Sequence, residues 1–176
     1  MKKLILFLLF FAPTICTAQD LDSLYARNLL PVGSVAPEIS MQTIDGKPFL
    51  LSEHKGEWIV LDFWASWCGD CRRDIPTMKD VYAQNRFAVT FVGVSFDHNR
   101  DAWEQCVKTN DMQWTHISEL KKWKETQVNQ DYRIQWVPTY YLIDPDGRIA
   151  FRTVMIDKLA QQLKNLPQRP QTCCCK

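Results

Sequence analysis

The stretch that most limits what this chain can fold into runs from Glu57 to Met78, EWIVLDFWASWCGDCRRDIPTM. Glu57 to Phe63 is a nearly unbroken apolar run, the pattern of a strand buried on both faces and so of a sheet covered on both sides. A few residues later the period changes. From Gly69 to about Asn85 the apolar residues Ile75, Met78, Val81 and Tyr82 recur at helical spacing, and Pro76 is expected to kink that helix. Cys68 and Cys71 lie at the junction. Cysteines two residues apart suit a reactive dithiol, half of a zinc site or a small structural staple, and only their surroundings decide among these.

The remaining elements follow from the same reading. Ile39 to Thr43 and Pro48 to Leu51 flank Asp45-Gly46, a hairpin signal. Phe87 to Val94 is a second continuous apolar strand, Arg100 to Lys108 a helix carrying Trp103 and Cys106, and Trp123 to Asp131 a further helix. Thr139 to Ile143 and Arg148 to Thr153 read as strands joined by the turn Asp144-Pro145-Asp146-Gly147. A last helix spans Ile156 to Leu166, just before Pro167. No internal repeat or low-complexity linker interrupts the order. Alternating strands and helices predict an α/β layer fold with a mixed sheet, right-handed at its parallel crossover.

Both ends stand apart from this pattern. Lys2 and Lys3 precede an apolar run from Leu4 to Phe11 and a small-residue ending at Ala18, the three-part form of a cleaved signal peptide. The run is short for a membrane span, and Cys16 follows Ile15 rather than the small residues expected before a lipid-modified cysteine. Residues 1–18 are read as the signal peptide, 19–30 as a polar lead, 31–166 as one domain and 167–176 as a flexible tail ending in Cys173-Cys174-Cys175. The expected location is the periplasm. The formal charge of +1 turns slightly negative once Lys2 and Lys3 are removed, and no basic run suits nucleic acid. In an oxidising compartment paired cysteines usually staple small chains with poor cores. Here 46% of the residues are hydrophobic and the cysteines are clustered, which points to a functional dithiol instead.

Position explains how such a dithiol would work. Cys68 falls just after a buried strand and at a helix start, where free backbone N–H groups and the helix dipole favour a thiolate, the reactive species. Cys71 sits one turn on, roughly on the same face, able to close a short disulfide while more shielded.

The run Asp62-Phe63-Trp64-Ala65-Ser66-Trp67-Cys68-Gly69-Asp70-Cys71, with Pro76 beyond it, resembles the active-site strand and helix of the thioredoxin family. Trp136-Val137-Pro138-Thr139 is similar to that family's segment in which a cis-proline begins a strand facing the dithiol. The amino-terminal hairpin, the Trp103 helix and the Leu142-Ile143-Asp144-Pro145-Asp146-Gly147-Arg148-Ile149 ending resemble the exported ResA/TlpA-like branch, with coverage from about Pro31 to Leu166. The resemblance implies a three-layer α/β/α fold with a mixed central sheet and an N-terminal β-hairpin extension. It also implies a thiol-disulfide oxidoreductase.

Carried over by position, Cys68 matches the nucleophile that attacks a partner's disulfide and Cys71 the thiol that resolves the mixed disulfide. Asp62 matches the buried acid behind the dithiol in thioredoxins. A carboxylate in an apolar strand should have a raised pKa and exchange a proton with Cys71 near neutral pH, unless Asp62 is an edge residue bonded to local backbone. Asp74 falls where ResA-like members carry a glutamate, although an acid in the first helical turn is also favoured by the dipole alone. Trp67, Gly69, Asp70, Val137 and Pro138 would form the partner-binding face. Val137's backbone would pair with an extended partner chain.

One departure matters. Many relatives have proline where this chain has Asp70, whose negative charge opposes the Cys68 thiolate while Arg72 and Arg73 act the other way. Asp70 is therefore expected to tilt the pair toward reducing its partners. The expected partners are thiols and disulfides of exported proteins, such as apocytochromes or metal-site proteins, with a membrane thiol reductase as electron donor. A monomer is expected, with no cofactor beyond the Cys68–Cys71 disulfide. Cys106 reads as a small core residue, and His54, His98 and His116 show no ligand spacing. Two alternatives stand beside this reading. A peroxiredoxin-type thiol peroxidase would need a threonine-containing loop that is absent between Leu61 and Cys68. A soft-metal carrier would bind copper or zinc through the cysteine tail.

Overall fold

From Ile59 to Trp64 every residue of one strand is buried, as the unbroken apolar run requires, and the domain is built outward from that strand. The computed structural model describes residues 20–166, so the segment expected to be a signal peptide and the tail with Cys173–Cys175 lie outside the described residues. In chain order the elements are α1 (Asp22–Tyr25), β1 (Ser40–Thr43), β2 (Pro48–Leu50), β3 (Trp58–Trp64), α2 (Gly69–Asn85), β4 (Val89–Ser95), α3 (Arg100–Thr109), β5 (Thr115–Ser118), α4 (Gln127–Asp131), β6 (Thr139–Ile143), β7 (Ile149–Thr153) and α5 (Ile156–Lys164). The seven strands form one sheet in the order β2-β1-β5-β4-β3-β6-β7. β3, β4 and β5 run parallel and the remaining pairs antiparallel, giving the mixed sheet that the alternation predicts.

α2 and α5 pack against each other on one face. The end of α3 is tied to the same side, where Lys79 of α2 donates to the Asn110 carbonyl at 2.9 Å. The opposite face carries the aromatic cluster of Phe63, Phe96, Tyr132 and Tyr141. α2 runs unbroken through Pro76.

Three features differ from the sequence reading. β5 is a four-residue strand, THIS, with too few apolar residues to announce itself, and it exists because β4 pairs with it on one side and β1 on the other. The helix expected over Trp123 to Asp131 is divided into a 3-10 turn, Trp123–Glu125, and α4, whose N-cap Thr126 accepts from the Asn129 N–H at 3.3 Å. The polar lead is also part of the domain. Ala26, Leu29 and Leu30 are buried, and the Asp22 carboxylate accepts from the Thr153 hydroxyl, the Val154 N–H and Lys158.

The sheet register sets up the site. Phe63 pairs with Thr139 near the C-terminal end of β3 and the N-terminal end of β6. The segment after β3 and the segment before β6 therefore emerge side by side.

Candidate active site

Those two segments carry the dithiol and Val137-Pro138. Cys68 is the N-cap of α2 and is disulfide-bonded to Cys71, with Cα atoms 5.3 Å apart. The Cys71 N–H points at Cys68 Sγ at 3.1 Å, so the first turn of α2 directs a donor at the sulfur, as a helix N-terminus does for an anion. Across the site Cys68 Sγ lies 3.5 Å from the Val137 carbonyl oxygen. The Val137-Pro138 peptide is cis. Both sulfurs belong to buried residues, while Trp67, immediately before Cys68, is 49% exposed and tilts against the ring of Trp123.

The loop that delivers Cys68 is clamped. Ser66 donates its N–H and its hydroxyl to the Asp97 carboxylate at 2.9 and 2.6 Å, and Arg72 donates to the Ser66 carbonyl at 2.6 Å. Asp97 is buried and also accepts from the Ser95 hydroxyl at 2.7 Å. A single acid after a strand gives no sign of this in the sequence, because the contact spans 31 residues.

Behind the dithiol lies a small cavity of about 10 Å³, on the order of one water, lined by Asp62, Trp64, Cys71, Asp74 and Tyr140 among others. Asp62 is not an edge residue: it sits on β3 between β4 and β6, in register with Gly93 and Tyr140, and no described group hydrogen-bonds its carboxyl. Burial pushes that carboxyl up to about 8, and the Asp74 carboxylate adds to the effect. Asp74 also titrates above its ordinary range, chiefly through burial, while a hydrogen bond from the Tyr140 hydroxyl at 2.8 Å acts the other way. Tyr140 is wholly buried and keeps its proton well beyond the usual phenol range, through burial and then the two carboxyls. The sequence reading passed over Tyr140 because only cross-strand register brings it to Asp62.

Asp70 belongs to a different environment. It is half-buried and paired with the exposed Arg73 at 2.9 Å, so its charge is partly neutralised within its own helical turn. Arg72 is held by Ser66 instead. Gly69 opens α2 with open space around its α-carbon. Cys106 is half-buried, with its thiol pushed up by burial. Among the described residues no group of three or more His, Cys, Asp and Glu side chains could hold a metal ion.

Comparison with known proteins agrees with this geometry. Residues 32–152 match the model of the AhpC/TSA family. The thioredoxin-like protein YneN of Bacillus subtilis is 28% identical over 138 residues, covering 76% of this chain and 78% of that protein. The thiol-disulfide oxidoreductase ResA of Bacillus cereus is 25% identical over 144 residues, covering 81% of this chain and 80% of ResA. Among solved structures, the thioredoxin domain of a thiol-disulfide oxidoreductase from Bacteroides vulgatus superposes with a TM-score of 0.71 at 29% identity, covering 77% of this chain and 96% of that domain.

Proposed function

This chain belongs to the AhpC/TSA family of the thioredoxin superfamily as a ResA-like thiol-disulfide oxidoreductase, and we propose that it reduces disulfides of exported proteins through Cys68 and Cys71. One observation carries the reading. The dithiol caps the N-terminus of α2 directly against the Val137 backbone, whose N–H has no hydrogen bond among the described residues.

In the reduced protein Cys68 is the thiolate, stabilised by the Cys71 N–H and the positive end of α2. An extended partner segment lies along Val137, its backbone pairing with the free N–H, with the exposed ring of Trp67 offering apolar contact. Cys68 sulfur attacks one sulfur of the partner disulfide, and the electron pair of the broken bond leaves on the other sulfur as a thiolate. The Cys71 thiol then gives its proton to Asp62 in its ionised form, the minor form near neutral pH because the group titrates at about 8, directly or across the small cavity. Its sulfur attacks Cys68 Sγ, the Cys68–Cys71 bond forms, and the partner's second thiolate departs. Asp74, reaching from buried toward solvent beside Tyr140, passes the proton on. A membrane thiol reductase recharges the disulfide, and apocytochromes or metal-site proteins are the expected partners. The signal peptide would export the chain to the periplasm. No helix of the described residues is long and apolar enough to cross a membrane.

The deciding measurement is the equilibrium reduction potential of the Cys68/Cys71 pair in defined thiol buffers, read by alkylation and mass. A value near roughly −270 mV, that of reducing thioredoxins, supports the reductant. A value near roughly −120 mV, that of a strong oxidant, overturns the direction.

A further inference from the structure

His116 is buried and both of its ring nitrogens lack a hydrogen bond among the described residues. The Met112 backbone lies near enough to favour its protonated form without making a bond of normal geometry. An imidazole left in this state in a core calls for an explanation, and the sheet register offers one. Tyr140 pairs with Asp62, Asp62 with Gly93 and Gly93 with His116, so the four residues form one row across β6, β3, β4 and β5. Residues paired in this way share a face of the sheet. It is the face of Cys71, because Asp62 and Tyr140 line the cavity that touches that residue.

Gly93 is the gap in this row. A Cβ built on it would lie 2.5 Å from His116 Nδ1 and 3.0 Å from Trp64 Nε1, so the space a side chain would need belongs to the imidazole and the indole. The Nδ1 edge of His116 therefore overlies the residue next to Asp62. Trp64 and Trp114, which flank the His116 ring at 5.6 and 5.2 Å, also line the Asp62 cavity.

We propose that one water, bridging from the Asp62 cavity across the open face of Gly93, carries a hydrogen bond from the protonated Asp62 carboxyl to His116 Nδ1, making His116 a positioning residue for the acid. This rests on the reading that Asp62 is the proton partner of Cys71. The groups facing Asp62 are Cys71 and Asp74 of α2 and Tyr140 of β6. Over Gly93 itself the nearest polar side-chain atoms are His116 Nδ1 and Trp64 Nε1, and of these only the imidazole nitrogen can accept a proton. When Cys71 passes its proton to Asp62, the proton comes to rest on the carboxyl, which the bridging water ties to the imidazole nitrogen. It returns by the same path when the disulfide is reopened. Burial holds the imidazole itself neutral, down to about 3, so it acts as an acceptor and not as a cation.

The test is ring-15N NMR of His116 in the oxidised full chain, followed through the titration of Asp62 read from its 13C carboxyl resonance. The Nδ1 resonance should move with the Asp62 midpoint and become flat in D62N. A flat Nδ1 resonance while Asp62 titrates, or a movement that persists in D62N, overturns the proposal. G93A, whose methyl would displace the imidazole, should abolish the coupled movement while Asp62 still titrates; coupling that survives G93A also overturns it. These readouts need no partner. D62N with an unchanged rate of mixed-disulfide resolution would sink Asp62's role in the chemistry and leave the Asp62–His116 coupling to stand or fall on its own.

Discussion

The two sides of the Cys68–Cys71 pair are built on opposite principles. In front, the half-buried Asp70 and the exposed Arg73 are paired with each other at the solvent boundary, where salt can screen them. Behind, Asp62, Tyr140 and His116 are buried, and neither the Asp62 carboxyl nor either His116 nitrogen hydrogen-bonds directly to another group among the described residues. A charge in water beside a counter-charge changes little, whereas a carboxyl withdrawn from water with no partner resists ionisation strongly. The same residue type, aspartate, therefore does different things within one turn of the dithiol. In the proposed mechanism proton handling belongs to the back, and the front is left to meet a partner.

The largest effect that tests this contrast is the pH dependence of stability. The Asp62 carboxyl stays neutral in the fold up to about 8, while in the unfolded chain it ionises above about 3.9. Between those values the folded state holds the extra proton. Stability therefore falls as pH rises through that window, by up to about 1.4 kcal/mol per unit. Asp74 is raised in the same direction and adds to the slope. Asp62→Asn should flatten most of it, as seen in denaturant midpoints measured across the window, and should slow resolution of the mixed disulfide by on the order of 10²-fold. Parallel stability curves for the two proteins would mean that Asp62 is ionised in the fold, and the contrast would collapse.

Tyr140→Phe is the next test. It removes the only donor to Asp74 among the described residues and leaves the aromatic packing in place. The expected cost is about 1–2 kcal/mol once Asp74 is ionised. The Asp74 midpoint should also rise, since the hydroxyl now holds it down. Carboxyl 13C titration reads this directly, and an unmoved midpoint would show that burial alone sets Asp74.

How much of this could be read beforehand follows from how local each feature is. The strand, the helix start at Cys68 and the Val137-Pro138 segment depend on neighbours in sequence, so the patterns predict them. Asp62 is conspicuous as an acid inside an apolar run. Tyr140 and His116 are ordinary residues until register aligns β6, β3, β4 and β5. β5 is too short and polar to identify without its two neighbouring strands. Asp97 is likewise silent, because its partner Ser66 lies 31 residues away, in the loop after β3. The Asp70–Arg73 pair was within reach of the sequence, since the two sit three residues apart on a helix.

That pair sets the smallest prediction. From charge alone, Asp70 should oppose the Cys68 thiolate and make the disulfide harder to reduce. The structure places an arginine on it at 2.9 Å with both side chains in solvent. Exposed pairs contribute about 0–1 kcal/mol, and about 1.4 kcal/mol corresponds to about 30 mV for this two-electron couple. Asp70→Asn should therefore raise the reduction potential by only about 10 mV, and added salt should shrink that further. The asparagine variant is preferable to proline because it removes the charge without altering the first turn of α2. A shift well above about 30 mV, insensitive to salt, would mean that the front charge reaches Cys68 unscreened. The division between an exposed, forgiving front and a buried, exacting back would then have to be redrawn around Asp70.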